Sequence, residues 1–281
     1  MRLARRFADL PHGQVHHRAG GAGGPVPLVL LHGGGGSGAA LVPLAAALGA
    51  TRAVLVPDMP GCGDSDALPM AQPEIADFAA VLIGFLDALG IARCDLHGAH
   101  LGARIAAEAS LRHPDRIRRV ILDGCGFYDD ASRQEMLDHV APPVLPDAEG
   151  AYLRTALAMC RAYFTHFPWF RQEEAHRRAG PGPTPQALHA RLVELLRNGG
   201  TYHHAYHAAL RYRMEDALPL LRHPVLLAAA RTDNVFPQRA RAAALLPTAA
   251  TAETPGLGSP QAVAETAAIF ARFLDAAPPT P

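Results

Sequence analysis

Lysine is missing altogether: all 26 basic side chains of this 281-residue chain are arginines, matched by 26 aspartates and glutamates, so the formal net charge is zero. A neutral chain lacks the basic excess that nucleic-acid binders and anionic-membrane binders need, and both partner classes are set aside. The arginine bias reads as GC-rich coding, not as a function. Cysteine is scarce: Cys62, Cys94, Cys125 and Cys160 lie about thirty residues apart with no C-x-x-C pair. Neither a zinc knuckle nor a disulfide framework is expected, and a reducing cytoplasm fits. No apolar run approaches the roughly 18 to 20 residues of a membrane helix. Arg2, Arg5 and Arg6 are followed by Asp9, Pro11, His12 and Gly13, where a signal peptide would have an apolar stretch and a small-residue cleavage site. What is present, 49% hydrophobic and 19% charged residues, describes a soluble globular protein with a full core.

Short apolar runs bounded by Gly, Pro or Asp alternate with helical patterns, the signature of a parallel sheet covered on both faces. Strands are expected at Val26–Leu31, Ala53–Val56, Cys94–Leu96, Val120–Leu122 and Val225–Ala229, with a short one near Thr251–Thr254. The clearest helical stripe is Phe78, Val81, Leu82, Phe85, Leu86 and Leu89, at 3.6-residue spacing. Phe7–Leu10 and Val15–Arg18 flank Pro11-His12-Gly13-Gln14 and predict an antiparallel hairpin on the sheet edge; Pro260–Leu274 predicts a last helix. From about Gly126 the strand rhythm stops and the chain becomes helical and aromatic, with a break at Gly180-Pro181-Gly182-Pro183. The expected organisation is a core of residues 1–125 and 219–275, a helical cap insert at 126–218, and a disordered tail at 276–281.

Three segments sit where strands end, which is where open α/β sheets bind ligands. Leu31-His32-Gly33-Gly34-Gly35-Gly36-Ser37-Gly38 is a glycine-rich turn whose N–H groups are free to face an anionic oxygen. It carries no G-K-S/T, and no G-x-G-x-x-G with an acidic partner, so a phosphate loop is not expected. Pro57-Asp58-Met59-Pro60-Gly61-Cys62-Gly63-Asp64-Ser65 is a tight turn, in which Asp58 and Asp64 read as turn-stabilising. Gly98-Ala99-His100-Leu101-Gly102 joins a strand to a helix. With the late strand opened by Pro224-Val225 and leading to Asp233-x-x-x-Pro237, these segments resemble the α/β-hydrolase fold family in its capped, single-domain form. The matches are Leu-His-Gly-Gly after the third strand, Asp-x-Pro-Gly-x-Gly-x-Ser after the fourth, and a G-x-nucleophile-x-G elbow; they span nearly the whole chain.

The departures from that family carry the most information. The elbow centre is normally Ser, sometimes Cys or Asp, because the strained turn presents a nucleophile; here it is His100. The family's base is a His in the loop after the last strand, yet that loop reads Thr254-Pro255-Gly256-Leu257-Gly258-Ser259-Pro260 and no histidine follows His223. Only the acid position, Asp233, remains, so an acyl-serine relay is excluded. The longer side chain of His100 should reach into the vacated space and meet Asp233, making a general acid/base whose tautomer and basicity the carboxylate sets. Backbone N–H groups of Gly34 and Leu101 would form an oxyanion hole.

That combination suits lyase, isomerase, cyclase or decarboxylase chemistry on a small, largely apolar carbonyl substrate. The alternatives are a catalytically inactive protein that binds a ligand or partner, and a hydrolase that uses His100 as base or nucleophile. Candidate substrate contacts are His32, His166, Trp169, Tyr206 and His207. His32 and His97 also read as structural, the latter as buried. Asp123 is the alternative acid, and Arg231 reads equally as a substrate-carboxylate contact or half of a surface pair. His203 and His207 stand at i, i+4, but without a third ligand no metal site is expected. No cofactor is called for, a homodimer is compatible with the sequence, and the rewired triad suits a specialised biosynthetic pathway.

Overall fold

The computed structural model describes residues 1–178 and 182–277. Its strands are β1 (Ala4–Leu10), β2 (Gly13–Gly21), β3 (Leu28–Leu31), β4 (Ala53–Pro57), β5 (Cys94–Ala99), β6 (Ile117–Asp123), β7 (Val225–Ala230) and β8 (Ala250–Thr254). The helices are α1 (Val42–Leu48), α2 (Ile75–Ala88), α3 (Leu101–Arg112), α4 (Asp130–His139), α5 (Ala151–Thr165), α6 (Pro185–Arg197), α7 (Tyr202–Arg211), α8 (Met214–Ala217), α9 (Arg239–Leu245) and α10 (Pro260–Asp275). The strands form one eight-stranded sheet in the order β1-β2-β4-β3-β5-β6-β7-β8. β1 and β2 pair antiparallel, as do β2 and β4, and every other neighbouring pair is parallel.

Strict alternation along the strands divides the core between the two faces of the sheet. In β3, Val29 and Leu31 join the cluster that holds Phe78, Leu82 and Phe85 of α2 and Ile105 of α3. Leu28 and Leu30 point the other way, to Leu44 and Leu48 of α1 and Phe270 and Leu274 of α10. β7 repeats the pattern: Val225 and Leu227 lie on the first face, Leu226 and Ala228 on the second. A strand buried on both sides reads as a continuous apolar run, which is why these strands stand out in the sequence.

The boundaries move in informative ways. The strand expected from Val26 starts at Leu28, because Pro27 has no N–H to give to a ladder; its carbonyl accepts from Asp95 N at 2.9 Å. The strand expected to stop at Leu96 runs on to Ala99, which carries it directly into the Gly98–Gly102 turn. The edge hairpin forms, with Leu10 facing Gly13 across the turn.

Between β6 and β7 the chain carries α4 to α8, and α4 to α7 build a third apolar cluster that includes Met136, Val140, Met159, Leu195, Tyr202 and Leu210. α7 is shared: Tyr202 and Leu210 face that cluster while Ala205, Ala208 and Ala209 face the sheet-side core. The Gly180-Pro181 break falls outside the described residues, as do residues 278–281 of the tail. Ala276, at the start of that tail, accepts a hydrogen bond from Arg119 at 2.5 Å. All four cysteines are buried and unpaired. Among the described residues no helix is long and apolar enough to cross a membrane.

Candidate active site

β5 delivers His97-Gly98-Ala99 to the carboxyl edge of the sheet, α3 starts at Leu101, and the single residue between them, His100, makes the turn with φ 50 and ψ −99. It is the one non-glycine residue with positive φ among those described, a conformation that costs on the order of 1–3 kcal/mol and persists only where packing enforces it. The glycines enforce it by close approach. A Cβ on Gly98 would stand 2.2 Å from the Gly102 carbonyl oxygen, and one on Gly102 would stand 2.3 Å from that of Leu31. Arg104, one turn into α3, donates to the His100 carbonyl at 3.2 Å and to Gly126 at 2.9 Å, clamping the turn from within the core.

The imidazole Nε2 of His100 lies 3.0 Å from Oδ2 of Asp233. Asp233 is fixed on the loop after β7 by the Val235 N–H, which donates to Oδ1 at 3.0 Å. Gly124, at φ +81, leaves room for the pair: a Cβ there would stand 2.9 Å from the His100 ring and 3.2 Å from the Asp233 carboxylate. Burial alone would lower the His100 pKa, but the Asp233 carboxylate beside it, helped by the charge of Asp123, outweighs burial and raises it. For Asp233, burial works upward, and the His100 contact, the Val235 N–H and the charge of Arg178 together bring the carboxyl below its usual range. With Nε2 turned to the carboxylate, Nδ1 is the nitrogen left for a substrate proton.

The pair opens onto a cavity of about 420 Å³ whose wall includes Gly34, Leu101, Asp123, Trp169, Tyr206 and Arg178. Leu101 is the first residue of α3, so its N–H belongs to the helix end that has no intrahelical acceptor. Gly34 lies under the Tyr206 ring, where a Cβ would stand 3.1 Å from it. Of the candidates from the sequence, His100, Asp233, Gly34, Leu101, Trp169, Tyr206 and Asp123 come together on this cavity.

Three candidate substrate contacts do not line it. His32 is buried, with Nδ1 2.8 Å from the Gly33 carbonyl and Nε2 accepting from the Met59 N–H at 2.9 Å. Both nitrogens are spent on backbone, so the ring is a neutral Nδ1–H strut, and burial lowers its pKa. His166 caps α5, with its Nδ1 2.9 Å from the Thr165 hydroxyl, and forms a backbone bridge with Arg177. His207 follows Tyr206 on α7, and the 100° step of a helix turns it off the cavity wall to an edge-on contact with the His203 ring, centroids 5.6 Å apart. Arg231 forms a surface pair with Glu253 at 2.6 Å. His97 is fully buried against Phe270, with Nε2 3.5 Å from Asp123.

The sequence reading missed Arg104, Tyr128, Tyr163 and Arg178, all on the cavity wall. Arg104 left a trace, a lone arginine in the alanine-rich run Leu101–Ser110. Arg178 left none, because nothing in its neighbourhood distinguishes it from Arg177.

Fold, elbow and the acid after β7 define one class, and the alpha/beta hydrolase fold family model matches residues 26–249. The chain belongs to that family. It is 38% identical over 103 residues to 2-hydroxymuconate semialdehyde hydrolase of Pseudomonas putida, covering 35% of this chain and 36% of that protein. It is 36% identical over 118 residues to 2-hydroxy-6-oxononadienedioate/2-hydroxy-6-oxononatrienedioate hydrolase of Burkholderia vietnamiensis, 40% of each chain. The matched segments thus span less than half the length of these relatives. A solved hydrolase from Pseudomonas aeruginosa PA01 superposes with a TM-score of 0.73 over 97% of this chain and 98% of that one, at 22% identity.

Proposed function

We propose that this protein is an enzyme that acts on a small carbonyl compound without an acyl-serine intermediate, with His100 as general acid/base oriented by Asp233. The observation that carries the reading is the 3.0 Å contact between His100 Nε2 and Asp233 Oδ2 at a strained turn on a cavity wall. The N–H groups of Gly34 and Leu101 are the donors for an oxyanion on the substrate carbonyl. His100 removes or delivers the substrate proton through Nδ1, and Asp233 stabilises the imidazolium so formed. Trp169 and Tyr206 supply apolar wall for the rest of the molecule.

A second reading is favoured by the names of the two relatives given above, both hydrolases: His100 activates a water that attacks the carbonyl. Product mass separates the two. Lyase or isomerase chemistry gives products that sum to the substrate, and hydrolysis gives products that sum to substrate plus water.

The experiment common to both is turnover by His100→Ala over a panel of small oxo compounds, with circular dichroism to show that the fold is retained. Removal of a general base is expected to lower kcat by roughly 10²–10⁴-fold. Turnover equal to the parent chain would overturn the assignment, and absence of turnover by the parent itself, with ligand binding retained, would leave a binding protein.

A further inference from the structure

Two arginines face the cavity, and they differ in what their donors do. Arg104 spends its terminal nitrogens on the carbonyls of His100 and Gly126. Arg178 has its guanidinium carbon 5.1 Å from the centre of the Tyr163 ring and 5.7 Å from that of Phe167. Ring faces attract a cation but offer no lone pairs to a planar fork of N–H groups. Nε is buried without a hydrogen-bond partner in both arginines; the difference is that among the described residues the Arg178 terminal nitrogens meet no acceptor and no Asp or Glu stands within ion-pair distance of its guanidinium. Other arginines of the same insertion do have such partners: Arg171 pairs with Glu135 at 2.6 Å, and Arg213 with Asp130 at 2.9 Å.

The backbone beneath Arg178 is built. Its own N–H donates to Thr165 at 2.8 Å, Phe167 N–H donates to His176 at 2.8 Å, and Arg177 bridges His166. A guanidinium held in place, resting on two rings and short of acceptors, is suited to an anionic oxygen group, for which its fork geometry gives bidentate recognition. Asp123 and Asp233 share the same cavity wall and repel such a group, so an anion binds in one orientation, with its charged end at the arginine.

We infer that the substrate is an oxo acid, with its carboxylate held by Arg178 and its carbonyl presented to His100. The inference rests on the reading of this cavity as the substrate site, and it gives the small, largely apolar carbonyl substrate expected from the sequence a charge at one end.

The test is binding to the full chain, measured by calorimetry and by the shift in Tm. The panel is a set of 2-oxo, 4-oxo and 6-oxo carboxylates of four to ten carbons, each paired with its methyl ester. Expected are a Tm rise and saturable binding for at least one acid, binding at least tenfold weaker for its ester, and a loss of at least tenfold in affinity in Arg178→Gln with partial recovery in Arg178→Lys. Esters that bind as well as acids, acids that bind Arg178→Gln with parental affinity, or no acid that binds at all would each overturn it. His100→Ala keeps this failure distinct from failure of the acid/base reading. Acids bound by that variant without turnover uphold both assignments, and acids turned over by it uphold the anion site alone.

Discussion

His100 and Asp233 stabilise the folded chain most while both are charged, and the sign of each shift sets the window. A histidine whose pKa is raised on folding contributes stability that is full below its unfolded value, near 6.5, and is lost as pH rises through the raised folded value. An aspartate whose pKa is lowered contributes stability present above about 3.8 and lost as pH falls through the depressed value. Asp233→Asn is therefore expected to be destabilised most between the two unfolded values, about 3.8 and 6.5, in urea titrations, with the gap to the parent narrowing as pH rises through the raised His100 value. A pH-independent gap would contradict the pairing. The same raised pKa places the acid limb of a base-dependent rate profile above 6.5, and Asp233→Asn should move that limb to lower pH. The pair was legible before any coordinates, because a histidine at an elbow flanked by obligatory glycines and an aspartate after a late strand are local patterns. The anion-binding arginine was not, since Arg178 owes its role to Tyr163 and Phe167, which the chain brings over it only by folding back.

Each element carries its share of the site through packing. Phe270 of α10 is fully buried and packs against His97 with the rings tilted, centroids 5.3 Å apart. Phe270→Ala is expected to cost about 3–5 kcal/mol in chemical denaturation, as for other fully buried aromatics. At the end of β6 the requirement is conformational: Gly124→Ala would combine a positive φ with a clash on the His100–Asp233 pair. It should lose roughly 1–3 kcal/mol of stability and most of the turnover, and parental turnover in a folded Gly124→Ala would show that the pair tolerates displacement. The buried strands were readable because period-2 alternation between two apolar faces leaves unbroken hydrophobic runs. The insertion was readable only as helical and aromatic: α7 turns Tyr202 and Leu210 to one cluster and Ala205, Ala208 and Ala209 to another, and a helical stripe does not say which of two apolar clusters it will meet.

Across the whole molecule, the insertion is tied to the glycine-rich loop beside the cavity and to the turn after β4. Arg191 of α6 donates to the Gly35 carbonyl, the Ser37 hydroxyl donates to Glu194 at 2.5 Å, and Thr201 donates to the Gly61 carbonyl at 3.1 Å. Glu194→Ala, which leaves the His100 pair untouched, is expected to speed hydrogen exchange of α6 and raise KM several-fold with little change in kcat. Unchanged exchange would mean that the tie is not what seats the insertion. The four buried cysteines have a practical corollary. Burial pushes the thiols of Cys62, Cys94 and Cys125 up to about 12 and raises that of Cys160, so at neutral pH none presents a thiolate to an electrophile, and the chain has no lysine amine to compete. A single cysteine placed at exposed Val193 on α6 would take a maleimide dye against a nearly silent background, so that one helix of the insertion could be followed by fluorescence without any other site being labelled.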